Sequence, residues 1–341
     1  MKRTLLYFII LIALGAAAYF FVIKKPWGTL NVNETAFAIT DTASIGKIFI
    51  ADMQGKKVLL ERQKAGWIVN QKYPVRGDYI DRLLATIKNV AVSYPVSSSA
   101  QNTVVKEMAS HNKKVEIYDR SGKMIKAYYV GEPSLDELGT YMLMDGAEKP
   151  YVTAIPGFQG TLESRYSTDE SAIRSGKIYD YRINEMKSVS VDYPSKPDSS
   201  FTIEILGPDS FALKNKKGED VTQFNKQRVH DYLSFYHFVN AEAFVNDLPK
   251  KDTILQTQPF VSFTVTDYNN QPHATVCYFM PRNPASLMQY DSEGNPLPFD
   301  SDHYFATINN GSDFVIVQKF HFGRLFKNLS WFQTNPKATH R

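Results

Sequence analysis

The chain holds one cysteine, Cys277, among 341 residues. That excludes an internal disulfide framework and any Cys-rich zinc or iron–sulfur site. It is also short of net charge. Its 39 Lys and Arg against 35 Asp and Glu leave +4, scattered along the length, which is no electrostatic footprint for nucleic acid. No Gly-rich loop has either common phosphate-binding spacing, which argues against a nucleotide-binding subunit, and no cofactor is expected. No Gly-x-Ser-x-Gly elbow offers a hydrolase nucleophile. The composition, 43% hydrophobic and 22% charged, is that of a globular protein, in a length that suits two domains. Aromatics are abundant, with 22 Phe and 20 Tyr, and such residues usually serve strands and cores.

Long apolar runs are absent with one exception, Leu5 to Ile23, flanked by Lys2-Arg3 and by Lys24-Lys25-Pro26-Trp27. As a helix rising about 1.5 Å per residue, this run reaches roughly 28 Å, the depth of a bilayer core. A cleaved signal peptide is the rival, since Ala16-Ala17-Ala18 supplies small residues. However, Tyr19 to Ile23 carries the apolar run past them, whereas a signal peptide's apolar core stops before the cut. The reading is a single transmembrane span with ends Leu5 and Ile23. The flanking charges nearly tie; the short tail and large body favour export. This reads as a single-span membrane protein whose C-terminal body is exported.

Beyond a connector at 28–44, the chain reads as α+β, two tandem repeats of a mainly antiparallel sheet with one or two packed helices each. Lys47–Ile50, Lys57–Arg62 and Gly66–Val69 read as short strands joined by turns. Asp78 to Val90 has apolar residues at 80, 83, 84, 87 and 90, the spacing of a helix, with Asp78 as its N-cap. The same order returns as Ser188–Val191, Phe201–Ile205, Ser210–Leu213 and a helix from Asn225 with stripe Val229, Tyr232, Leu233, Tyr236 and Val239. Val115–Asp119 then parallels Phe263–Asp267, each followed by another strand (Lys126–Val130; His273–Phe279) and a hairpin. Short apolar helical segments, Phe158–Leu162 and Phe320–Trp331, close the halves. The expected boundaries are an anchor at 1–27, repeats at 45–166 and 187–334, a joint at 167–186 and a tail at 335–341. Pro281–Asp302, rich in proline, reads as an insertion in the second repeat.

Within the first repeat, Lys57-Val58-Leu59-Leu60-Glu61-Arg62, Gly66-Trp67-Ile68-Val69, Tyr73-Pro74-Val75 and the helix through Leu83-Leu84 resemble the bacterial family of domain of unknown function 4340. Tyr129-Val130-Gly131, Tyr141-Met142 and Tyr151-Val152 resemble its later strands. The likeness covers roughly 45–165; the second half shares the plan without the words. The resemblance implies an N-terminal anchor in a bacterial inner membrane with the body in the periplasm, the company that some members keep with gliding-motility-type ABC transporter components, and no catalytic residues to carry over.

Chemistry is sparsely marked. His230 and His237 fall on one predicted helix face, a spacing too long for an HExxH-type pair, and no third metal ligand is evident. Asp300-Ser301-Asp302-His303 gathers two carboxylates and an imidazole; divalent-cation binding and plain turn chemistry are both open there, with turn chemistry favoured. Cys277 sits in an alternating strand and reads as a packed thiol. Ser97–Ser99 and Ser199-Ser200 read as solvated loops. Arg76-Gly77-Asp78 spells an adhesion tripeptide but is better explained by capping, and the scattered lysine pairs as solvated turns. Tyr128, Tyr129, Tyr141 and Tyr151 suit either an exposed aromatic platform or cross-strand packing, with packing favoured. No catalytic, cofactor or metal residue is assigned. The expected function is a membrane-anchored, non-catalytic binding or auxiliary component of an envelope transport or surface-machinery complex, with ABC transporter or other envelope subunits as partners. An envelope hydrolase acting on a polymer and a passive structural spacer remain the alternatives.

Overall fold

The computed structural model describes residues 32–286 and 288–333. The apolar run Leu5–Ile23 and the tail 335–341 lie outside the described residues. Among the described residues no helix is long and apolar enough to cross a membrane. The chain is α+β and mainly antiparallel, with two large sheets, and it divides into two units after Arg174.

The first unit is built on β1 (Ile45–Asp52), β2 (Lys57–Gln63), β3 (Gly66–Val69), β4 (Tyr73–Pro74), β5 (Ala91–Pro95), β6 (Lys113–Asp119), β7 (Met124–Pro133), β8 (Thr140–Met144) and β9 (Tyr151–Ala154). Their order in the sheet is β4-β3-β2-β1-β6-β7-β8-β9-β5, every pair antiparallel. Alternation along each strand puts one set of side chains on the core face, and the register stacks them into rows. Leu60, Ile48 and Ile117 stand abreast, as do Val58, Ile50 and Val115, and all are buried. The helix Gly77–Asn89 lays Tyr79, Ile80, Leu83 and Ile87 in the same core.

The second unit contains β10 (Lys177–Tyr179), β11 (Met186–Asp192), β12 (Phe201–Gly207), β13 (Ser210–Asn215), β14 (Val239–Asn240), β15 (Ala243–Phe244), β16 (Val261–Asp267), β17 (Pro272–Pro281), β18 (Phe299–Ile308) and β19 (Asp313–Gln318). Its large sheet runs β13-β12-β11-β16-β17-β18-β19-β15, and β10 pairs with β14. Ile203, Val189 and Val265 form one buried row; Phe201, Val191 and Phe263 form the next. Paired off in sequence order, these eight strands follow the order of the first sheet without its β4. A register shift breaks β1–β6 between Ile45 and Lys47, and one breaks β11–β16 between Met186 and Ser188.

Several local expectations change. Asp78 is not the N-cap of its helix. The N–H of Val75 donates to the Trp67 carbonyl and that of Arg76 to the Ile173 carbonyl, which holds Arg76 extended as the cap residue without a side-chain cap bond. Asp78 sits in the first turn, bonded by Arg76 (2.7 Å) and Arg82 (3.1 Å), where its charge suits the helix dipole. The second helix, Lys226–Ser234, is capped by Asn225 and stops before Tyr236 and Val239, which are buried all the same. Phe158–Leu162 is not helical; Gly157 (φ 80) and Gly160 (φ 126) turn the chain there. Ser98–Ser110, read as a loop at its start, is a helix that packs Val104 and Met108 inward.

The flanking segments also carry core. Phe37, in the stretch read as a connector, is fully buried with its ring edge-on to Tyr128 and Tyr151. Residues 170–174 return to the strand-to-helix junction, where Arg174 bridges Val75 and Ile173 is buried. In the second unit Gln333 bridges Phe224, and the Asn225 N–H donates to the Phe332 carbonyl.

Gly46, at the register shift, has no room for a side chain: a Cβ would lie 2.7 Å from the Asp119 carbonyl oxygen and 2.8 Å from Arg120 Cα. Gly77, opening its helix, has nothing within 4 Å. Gly46→Ala is therefore expected to destabilise by about 1–3 kcal/mol and Gly77→Ala to stabilise by about 0.4–1 kcal/mol. Urea unfolding of the two variants checks the opposite signs.

Candidate functional site

The two histidines expected to share a helix face do not. His230 is exposed on the helix, whereas His237 lies past its end, where Phe238 takes a left-handed turn (φ 57). The His237 Nδ1 sits 2.9 Å from Asp180 Oδ1, and His273 Nε2 sits 3.4 Å from Asp267 Oδ2. Among the described residues no group of three or more His, Cys, Asp and Glu is arranged to hold a metal ion.

The Asp300–His303 stretch is a cluster in space as well as in sequence. Asp300, only 4% exposed, accepts the N–H groups of Asp302 (2.7 Å) and His303 (2.8 Å) on Oδ1 and the Ser286 hydroxyl (2.7 Å) on Oδ2. The His303 ring spans two carboxylates, with Nδ1 3.2 Å from Asp300 and Nε2 3.3 Å from Glu242. Burial works to raise the Asp300 carboxyl, and the bonds from Ser286, the two backbone N–H groups and His303 outweigh it, so it lies below its ordinary value. Both Asp300 oxygens are thus taken up in closing the 281–299 connection onto β18. The arrangement is loop closure by a buried carboxylate, because Ser286 donates to Asp300 from across the connection.

A small cleft of about 220 Å³ opens beside β10, lined by Tyr179, His273, Thr275, Ile308, Asn309 and Asn310. The Tyr179 hydroxyl donates to the Phe263 carbonyl (3.3 Å). The cleft is below the roughly 300–1,000 Å³ of ordinary small-molecule pockets.

A third feature had no sequence signal. The connection from β7 to β8 is a tight tip, Ser134 to Gly139, closed by its own bonds. The Ser134 N–H donates to the Gly139 carbonyl (2.9 Å), the Gly139 N–H to Ser134 Oγ (3.0 Å), the Glu137 N–H to the Ser134 carbonyl (2.8 Å) and the Leu138 N–H to Asp136 Oδ1 (3.1 Å). Ser134 Oγ also donates to Asp136 (2.6 Å), and the Tyr94 hydroxyl does so at 2.9 Å. The Ser134 hydroxyl, then the Leu138 N–H and Tyr94, hold the Asp136 carboxyl below its ordinary value. This hydrogen-bonded turn leaves Leu135 98% and Leu138 65% exposed. In the second unit the strand ends at the corresponding connection carry Phe279 and Phe299, exposed and stacked at 4.3 Å.

The remaining candidates are structural. Cys277 is fully buried, and burial pushes its thiol up. Tyr128 and Tyr151 lie in the core, while Tyr129 and Tyr141 are half-buried, Tyr129 donating to Asp145 (3.0 Å). Ser200 is not a solvated loop residue: it is buried, accepting the Tyr193 N–H (2.9 Å) and donating to Asp192 (3.1 Å). No protein-family model, curated protein or solved structure matches the chain.

Asp300→Ala is expected to destabilise by about 2 kcal/mol, because it strands the partly buried donors of Asp302 and His303, and Ser286→Ala by about 1 kcal/mol. Since the folded carboxyl lies below its ordinary 3.8, its contribution is complete above that value and is lost as pH falls through the lower folded one. Acid unfolding followed by circular dichroism should show this loss in the native chain and not in Asp300→Asn.

Proposed function

We propose that the chain is one α+β module built twice, tethered to a bacterial inner membrane by the Leu5–Ile23 span, and that it works as a non-catalytic binding component of an envelope complex. The shared strand order and the register shift at the same place in both central pairs support the duplication. So does the same turn after β6 and β16: Asp119 Oδ1 accepts the N–H groups of Ser121 and Lys123, and Asp267 Oδ1 those of Asn269 and Gln271. The likeness of 45–165 to the domain of unknown function 4340 family points the same way and suggests transporter subunits as neighbours.

The observation that carries the binding reading is the β7–β8 tip, where leucines stand in solvent on a turn whose bonds already fix it. Leu135 and Leu138 expose apolar surface within four residues of one turn, and apolar surface gathered in one place, unlike a lone exposed side chain, suits a contact site. A preformed tip associates without the entropy loss of ordering a loop. The hydrolase alternative finds no support at Asp300, whose oxygens are filled by loop-closing donors.

Protease treatment of cells with a permeabilised outer membrane tests the placement. The expected result is degradation of both units while the N-terminal span stays with the membrane pellet. Protection of the body, or its release intact into the soluble fraction, would contradict it.

A further inference from the structure

The tip carries acidic side chains beside its exposed leucines. Residues 131–140 include Glu132, Asp136 and Glu137 and contain no Lys, Arg or His. Lys113 is half-buried, with its ammonium donating to the Glu163 carbonyl at 2.6 Å and also attracted by Glu132, so at Glu137 the tip keeps an exposed carboxylate without that partner. Asp136 carries its charge as part of the turn, bonded by Ser134 and Tyr94. Carboxylates so placed repel an anionic surface and attract basic side chains. They also oppose a second copy of the same tip, whose charges have the same sign.

Resting on the binding reading above, we infer that the β7–β8 tip seats Leu135 and Leu138 in an apolar groove of a protein partner rimmed by Lys and Arg. The leucines supply the apolar contact and Glu132 and Glu137, whose side chains are exposed, supply the charge pairing. The bonds among Ser134, Asp136 and Gly139 keep both in place. Leu135 is the more exposed of the two, at 98% against 65% for Leu138.

Site-specific photocross-linking in the native cells tests this, using the full chain with benzoylphenylalanine in place of Leu135 and, separately, of the exposed turn residue Lys217. The expected result is a cross-link from position 135 to one protein, at a peptide that mass spectrometry shows to be apolar and flanked by Lys or Arg. Its yield should exceed that from position 217 by about tenfold or more. It should fall by about tenfold with Leu138→Ser, as expected for one exposed leucine losing its burial, and fall again with Glu137→Lys. Neither change touches a side chain that the turn uses, so the thermal midpoint should stay put. Cross-linking to lipid, to another copy of this chain, or to a segment without basic residues would overturn the inference. So would silence at position 135. In that case benzoylphenylalanine at Phe320 or Tyr290, exposed elsewhere on the chain, separates the two readings: a protein captured there leaves the binding reading standing, and silence at all three sites overturns both.

Discussion

Each unit depends on one non-local strand pair. In the first, β1 and β6 meet with residues 53–112 looped out between them; in the second, β11 and β16 meet across residues 193–260. Closing such loops costs chain entropy before any contact offsets it, and the offset comes from the buried rows that the register creates. Ile48 and Ile50 are flanked on one side by Leu60 and Val58 and on the other by Ile117 and Val115. A slip by one residue would turn all of them to the opposite face. The flanking strands, the helices and the tips hang from these pairs.

What could be read from the sequence follows from this. Strands with one buried face have a period of two, so β1, β2, β6, β11, β12 and β16 are visible as alternation, and Gly77–Asn89 is visible as a stripe. The helix Ser98–Ser110 buries only Val104 and Met108, too narrow a stripe to outweigh the serines at its start. β5 is an edge strand with an exposed second half, so it lacks alternation. The return of 170–174 to Val75 is tertiary, as is the demotion of Asp78, whose capping place was taken once the backbone of Val75 and Arg76 was bonded elsewhere.

The candidate sites divide along the same line. Asp300, Asp302 and His303 are neighbours in sequence and were legible as a cluster. Their role was not, because Ser286 and Glu242 reach them only through the fold. Leu135 and Leu138 gave no signal, since apolar residues near strands ordinarily read as core. Only the bonds of Ser134 and Asp136 show a turn that is complete without them.

The central claim is that folding itself fixes this tip, so that a partner meets a finished surface. Amide hydrogen exchange on the intact chain tests it most directly. The N–H groups of Glu137, Leu138 and Gly139 should exchange well below the rate of an unstructured peptide although Leu135 beside them is in full solvent. Exchange of all three at the unstructured rate would contradict the account.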